Sequence, residues 1–191
     1  VSEITGAIIG SVVPPVTSLM REAIRKVTGQ EALVVNVDMN IGLEVLMDNP
    51  SSVGTDLIVG AVAGINRYPV PLILIDMGTA TTICVVNENK QYIGGMILPG
   101  IGVSMNSLTS RTAQLPRISL DPPKRLIGKN TVECMQSGAL YGNASCIDGM
   151  VDRIQEELGQ EATIVATGGL AKRIIPLCRH RIELDDELLL R

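Results

Sequence analysis

The sequence has no run of basic residues, and 16 lysines and arginines stand against 20 acids for a net charge of −4. Without a basic stripe, neither nucleic acid nor an anionic membrane surface is expected as a partner. No two of the four cysteines, Cys84, Cys134, Cys146 and Cys178, have Cys-x-x-Cys spacing. That argues against a zinc site or a disulfide frame, and they read as reduced core residues of a cytoplasmic protein. No apolar run approaches the roughly 18 residues that span a bilayer, and no signal peptide is recognised before the first predicted element. The 19 glycines and ten prolines are scattered, so no linker or disordered tract stands out. The one histidine, His180, lies between Arg179 and Arg181 and reads as a solvated strand or loop edge.

What is present is a chain of 191 residues, 46% of them hydrophobic, enough for one substantial core or two small lobes. Its organising stretch runs from Leu72 to Thr82, where Leu72-Ile73-Leu74-Ile75 is followed abruptly by Asp76-Met77-Gly78-Thr79-Ala80-Thr81-Thr82. Four consecutive apolar residues predict a strand covered on both faces, since alternation is lost when neither face meets water. Asp76 then falls at the strand mouth, where a carboxylate can hold a cation. Gly78 lets the backbone turn so that its N–H groups approach a phosphate, and the hydroxyls of Thr79, Thr81 and Thr82 add neutral donors.

Before this stretch, Gly6 to Val13 predicts a strand, Pro14-Pro15 a helix start, Val16 to Val27 a helix ended by Gly29, and Ala32 to Val37 a second strand. Ser51 or Ser52 is expected to cap a further helix, with Val53, Leu57, Ala61 and Ile65 on its apolar face and Tyr68-Pro69 as its break. After it come a hairpin of Ile83 to Val86 and Tyr92 to Leu98, a helix from Val103 to about Arg111, and a proline-rich loop from Leu115 to Leu126. Asn130 to Leu158 reads as one long helix in which Gly138, Gly142 and Gly149 permit close packing or a break. Thr163 to Ala166 is a short buried strand, and Leu188-Leu189-Leu190 is an apolar run with nothing beneath it. The organisation implied is a first lobe over residues 1–70 and a second over 71–191.

Two more stretches carry potential chemistry. Thr167-Gly168-Gly169, between a strand and a helix, can bring backbone N–H groups against a phosphate or ribose. Gly54-Thr55-Asp56 opens a helix. An acid there suits the helix dipole, and it is also placed to take the proton of an alcohol during phosphoryl transfer.

In order along the chain, these blocks resemble type III pantothenate kinase: Asp48-Asn49-Pro50 with Val53-Gly54-Thr55-Asp56, Asp76 to Thr82, Gly94-Gly95 with Pro99-Gly100, Arg111 to Pro116, Ile127 to Thr131 with Ser137-Gly138, and Ala166 to Leu170. The resemblance covers nearly the whole chain. It implies an α/β fold of two ribonuclease-H-like lobes, as in the actin-like ATPase and sugar kinase superfamily, with the first lobe lacking its opening strands. It implies ATP-dependent phosphorylation of pantothenate to 4'-phosphopantothenate, the first step of coenzyme A biosynthesis. A homodimer needing Mg2+ and a monovalent cation, K+ or NH4+, is also implied. Carried over by position, Asp56 becomes the proton acceptor and Gly54, Thr55, Asp56, Leu57 and Thr131 substrate contacts. Asp76 becomes the potassium ligand and Thr79 an ATP contact, while Gly78, Gly168 and Gly169 join it as nucleotide-binding candidates through their own backbone chemistry.

The chain departs from that pattern at Leu57, where the family places an arginine on the substrate carboxylate, and at Met47, where many members have tyrosine. An apolar side chain cannot form the charge-assisted fork of a guanidinium, so the substrate must be anchored elsewhere. The family's opening Asp-x-Gly-Asn-Thr loop and its last helix are not found, so the chain is expected to be an internal segment of a longer kinase. Exposure of a sheet edge and apolar helix surface is expected as a result. Two rival readings are a sugar or acyl kinase of the same superfamily and a non-catalytic nucleotide-binding relative acting as an accessory transcription factor.

Overall fold

The computed structural model describes residues 4–36, 39 and 41–190, and the fold is that of these residues. The chain opens with a strand-helix-strand unit in which β1 (Ile8–Ile9) pairs parallel with β2 (Leu33–Val34) across α1 (Pro14–Thr28). Both strands are shorter than the sequence suggests. The first ends where the Val13 N–H turns back to donate to the Ser11 hydroxyl, 3.1 Å away. The far end predicted for the second, Val37, lies outside the described residues. Helix α1 begins at its prolines and stops at Gly29, whose N–H donates to the Arg25 carbonyl. No α1 residue is buried, and Val16, Leu19, Met20 and Val27 are exposed.

The remainder is built on a six-stranded mixed sheet. In chain order its strands are β3 (Glu44–Val45), β4 (Leu72–Met77), β5 (Ala80–Val86), β6 (Gln91–Pro99), β7 (Thr163–Thr167) and β8 (Glu183–Leu184). In space they run β3-β6-β5-β4-β7-β8. β4, β5 and β6 form the expected antiparallel meander, and β7 and β8 add in parallel beyond β4. The hairpin strands extend past their predicted ends, so Thr81 and Thr82 lie within β5 and only Thr79 remains in the turn.

Both faces of β4 are covered, as its unbroken apolar run requires. Ile73, Ile75 and Met77 join Ile83, Val85, Ile164 and Ala166 on one face, under α4 (Thr131–Leu158). Leu72, Leu74, Cys84, Val86 and Val165 form the other face, under α2 (Thr55–Arg67), which contributes Ile58, Ala61 and Ile65. With no Phe or Trp in the chain, both layers are almost wholly aliphatic.

Helix α2 starts two or three residues later than a cap at Ser52 or Ser51 implies. Ser51 donates to Asn49 Oδ1 and Ser52 to the Asn49 carbonyl within a 3-10 turn over Pro50–Ser52, and Gly54 precedes the helix. Helix α3 (Ile101–Ser110) follows β6, and the proline-rich loop leads to Asn130, whose side chain accepts the Glu133 N–H to start α4. The Glu133 side chain in turn accepts the Lys129 N–H, tying down the residue before the cap. α4 is unbroken, and Gly138 and Gly142 face open space, so these glycines neither break it nor pack it closely. α5 (Ala171–Ile174) follows β7.

Three further expectations are corrected. The apolar end of the chain is not without support: Leu188 is 1% exposed in a 3-10 turn over Leu188–Leu190 that packs on α2, and Gly60 leaves room for Leu189. His180 is no free edge, since its Nε2 is 2.7 Å from Asp152 on α4, while Asp148 accepts the Arg179 and His180 N–H groups. All four cysteines are free, but only Cys84 is buried and Cys134 is exposed. No described helix is long and apolar enough to cross a membrane.

Candidate active site at the carboxyl end of the sheet

Helix α2 and strand β4 are joined by a short turn and run back along each other. Thirteen helical residues rise about 20 Å and six extended residues about 20 Å. The start of α2 therefore returns to the end of β4, which brings Asp56 to Asp76. Their proximity is registered electrostatically. The Asp76 carboxyl is pushed above its ordinary value by burial first and by Asp56 second. The same two acids reach Cys84, whose thiol is pushed up to about 12 by burial, then Asp76, then Asp56. Tyr92 is raised to about 12 by burial, with Cys84 and then Asp56 adding to it. Asp56 and Asp76 thus lie at one end of the α2 face, with Cys84 one strand over and two residues further in.

Asp56 is exposed at the first turn of α2. Its Oδ1 accepts the Leu57 N–H at 3.0 Å, leaving Oδ2 free to accept a proton. A Cβ at Gly54 would meet that same Oδ1, so any larger residue before the helix would have to displace the Asp56 carboxylate. The Thr55 hydroxyl beside it is buried without a partner among the described residues. Leu57 packs at the margin of the α2 core instead of reaching outward.

Beneath Asp56, the β4–β5 turn is cinched. Gly78 N–H donates to the Ala80 carbonyl, and the Gly100 N–H donates to the Thr79 carbonyl at 3.1 Å. A Cβ on Gly100 would run into the Gly78 and Thr79 carbonyls, which gives Pro99-Gly100 its place in the site. Gly78 and Thr79 are exposed. From the other side comes Gly168, at φ +96°, where a Cβ would stand 2.6 Å from both Asp76 Oδ1 and the Met77 nitrogen. Gly169 lies open beside it.

Of the residues singled out from sequence, the structure gathers Gly54, Thr55, Asp56, Asp76, Gly78, Thr79, Gly168 and Gly169 around this end of the sheet, with Leu57 at its rim. Thr131 is placed differently. It lies on the opposite side of the sheet, at the tip of α4, which is about 42 Å long against about 17 Å for β7 and so overhangs the strands. There Thr131 lines an open groove of about 950 Å³ with Ile101, Met105, Lys129, Met135 and Gly138, and neither Asp56 nor Asp76 lines it. Sequence reasoning passed over the side chain of Thr167, although strand parity would have placed it beside Asp76.

The site is thus an acid-glycine-threonine turn at the open end of an antiparallel meander, with a helix-borne acid above it, in an α/β fold built on one mixed sheet. The family model for type III pantothenate kinase matches residues 1–153, and the chain belongs to that family. It is 49% identical over 172 residues to a curated type III pantothenate kinase of Bacillus cytotoxicus, an alignment covering 90% of this chain and 66% of the relative. Among solved structures it is similar to a Baf family transcriptional activator from Campylobacter jejuni. The TM-score is 0.60 at 19% identity, over 99% of this chain and 80% of that one, a likeness of fold.

Proposed function

We propose that the chain belongs to an enzyme that transfers the γ-phosphoryl group of ATP to the primary hydroxyl of pantothenate. The carrying observation is the return of Asp56 to the end of β4, which sets a proton acceptor with one free carboxylate oxygen beside the Gly78-Thr79 turn. In this reading Asp56 orients the hydroxyl and takes its proton, with Gly54, Thr55 and Leu57 beside the substrate. Backbone at Gly78, Thr79, Gly168 and Gly169 lies against the nucleotide. Thr131 serves the substrate from α4, a role that fits a homodimer in which a second copy brings it to the site. The division into lobes near residue 70 and a cytoplasmic location belong to the same reading.

The donor set fits a hard cation. Asp76 accepts no hydrogen bond and forms no ion pair among the described residues, and every side chain directly beside it offers oxygen. Asp76 would hold a monovalent cation, K+ or NH4+, which would supply positive charge beside the phosphates, and Mg2+ would travel with ATP.

Replacing Asp56 tests the reading. D56N is expected to lower pantothenate-dependent ATP consumption roughly 10²- to 10⁴-fold, the usual contribution of a positioned general base, while ATP binding measured by calorimetry is retained. An unchanged turnover rate would remove Asp56 as the base. Phosphorylation of a sugar in preference to pantothenate would replace the substrate.

A further inference from the structure

Direct cross-strand partners share a face of a sheet, and β4 pairs Asp76 with Thr82 of β5 on one side and with Thr167 of β7 on the other. The parity of the buried neighbours fixes which face. Leu74, Cys84 and Val165, each two residues back on its own strand from Asp76, Thr167 or forward from Thr82, all lie under α2. The three oxygen-bearing side chains therefore form one row, Thr82-Asp76-Thr167, beneath the start of α2. Thr167 is only 5% exposed, and its hydroxyl, which keeps some access to solvent, makes no hydrogen bond among the described residues. A hydroxyl beside a carboxylate ordinarily donates to it. Here neither threonine donates to Asp76. Gly168, pressed against Asp76 Oδ1, closes the row from the end of β7.

We infer that Thr167, together with Thr82, completes an oxygen cradle around Asp76 for a monovalent cation, with the Thr167 hydroxyl as a direct ligand. This rests on the proposed cation role of Asp76 and extends it to residues that no resemblance assigned. One carboxylate and two neutral hydroxyls carry a single negative charge. That suits a singly charged ion, whereas Mg2+ keeps most of its water and binds through carboxylates and phosphates. Oxygens on adjacent strands start from Cβ atoms about 4.5–5.5 Å apart, a gap an ion bridges and a direct hydrogen bond does not always close.

The test is thermal unfolding without nucleotide or substrate, in KCl against choline chloride at equal ionic strength. The protein is expected to gain several degrees in Tm from K+. T167V, which keeps the shape and loses the oxygen, should lose most of that gain, and T167S should recover it. D76N should lose it entirely. A K+-dependent rise undiminished in T167V would overturn the assignment, as would the absence of any K+-dependent rise in the unmodified protein. MgCl2 producing the full effect at the ionic strength of the KCl sample would replace the monovalent ion. The kinase reading is decided separately by the turnover of D56N, so either can fail while the other stands.

Discussion

At the scale of single residues, the site is governed by an uncompensated acid. Asp76 is desolvated and faces Asp56, and no described cation answers either charge. Both effects favour the neutral form, so the folded protein holds the Asp76 proton more tightly than the unfolded chain. In buffer without a bound cation, stability should therefore fall as pH rises from the ordinary value of 3.8 through the raised one. D76N should lack that fall. The Tm of the variant is expected to exceed that of the unmodified protein at neutral pH and to converge with it below about pH 4, as melting curves across a pH series would show. Added K+ should narrow the neutral-pH gap by stabilising only the protein that retains Asp76. The sequence made Asp76, Gly78 and Asp56 conspicuous because each stands at a break in an apolar pattern. The Thr167 hydroxyl was not conspicuous, because a threonine at the end of a short buried strand looks like any other until the strand beside it is known.

At the scale of elements, the helices and the meander were legible because they are written in local signals: prolines and Gly29 around α1, the Asn130–Glu133 cap of α4, and the apolar run of β4. The start of α2 was misread because Ser51 and Ser52 are good capping residues, but both hydroxyls turn back to Asn49 and leave the cap to Gly54. The last turn of the chain was also illegible. Leu188 is fully buried only because α2, more than a hundred residues earlier, presents a surface for it, and no local pattern encodes such a contact. This turn is expected to brace α2 from outside. L188A should cost about 2–5 kcal/mol of stability, as removal of a buried leucine side chain does, measurable as a lower urea midpoint with an unchanged slope.

At the scale of the whole molecule, the two parts differ in how they bury their apolar surface. The centre of the six-stranded sheet, around β4, is covered on both faces, whereas the unit spanning residues 4–36 leaves Ile8, Leu19, Val27 and Leu33 each more than half exposed. Apolar side chains left open in this way promote association where they form a contiguous patch. Replacing Leu19 and Val27 together by lysine should reduce concentration-dependent light scattering while leaving the cooperative unfolding of the main sheet within about 0.5 kcal/mol, as for surface substitutions elsewhere. The division of the chain between a well-covered sheet and an open flanking unit could not be read from composition. Both parts are rich in valine, leucine and isoleucine, and only the pairing of strands decides which of those side chains meet a neighbour.

The matched lengths of α2 and β4 turn the spacing of two acids into a ruler. Adding one residue inside the helix would swing everything upstream by about 100° around its axis, so Asp56 would point away from the strand end although no atom of the cleft itself had been altered. Sequence drift within this stretch is thus free to exchange letters but not to change their number.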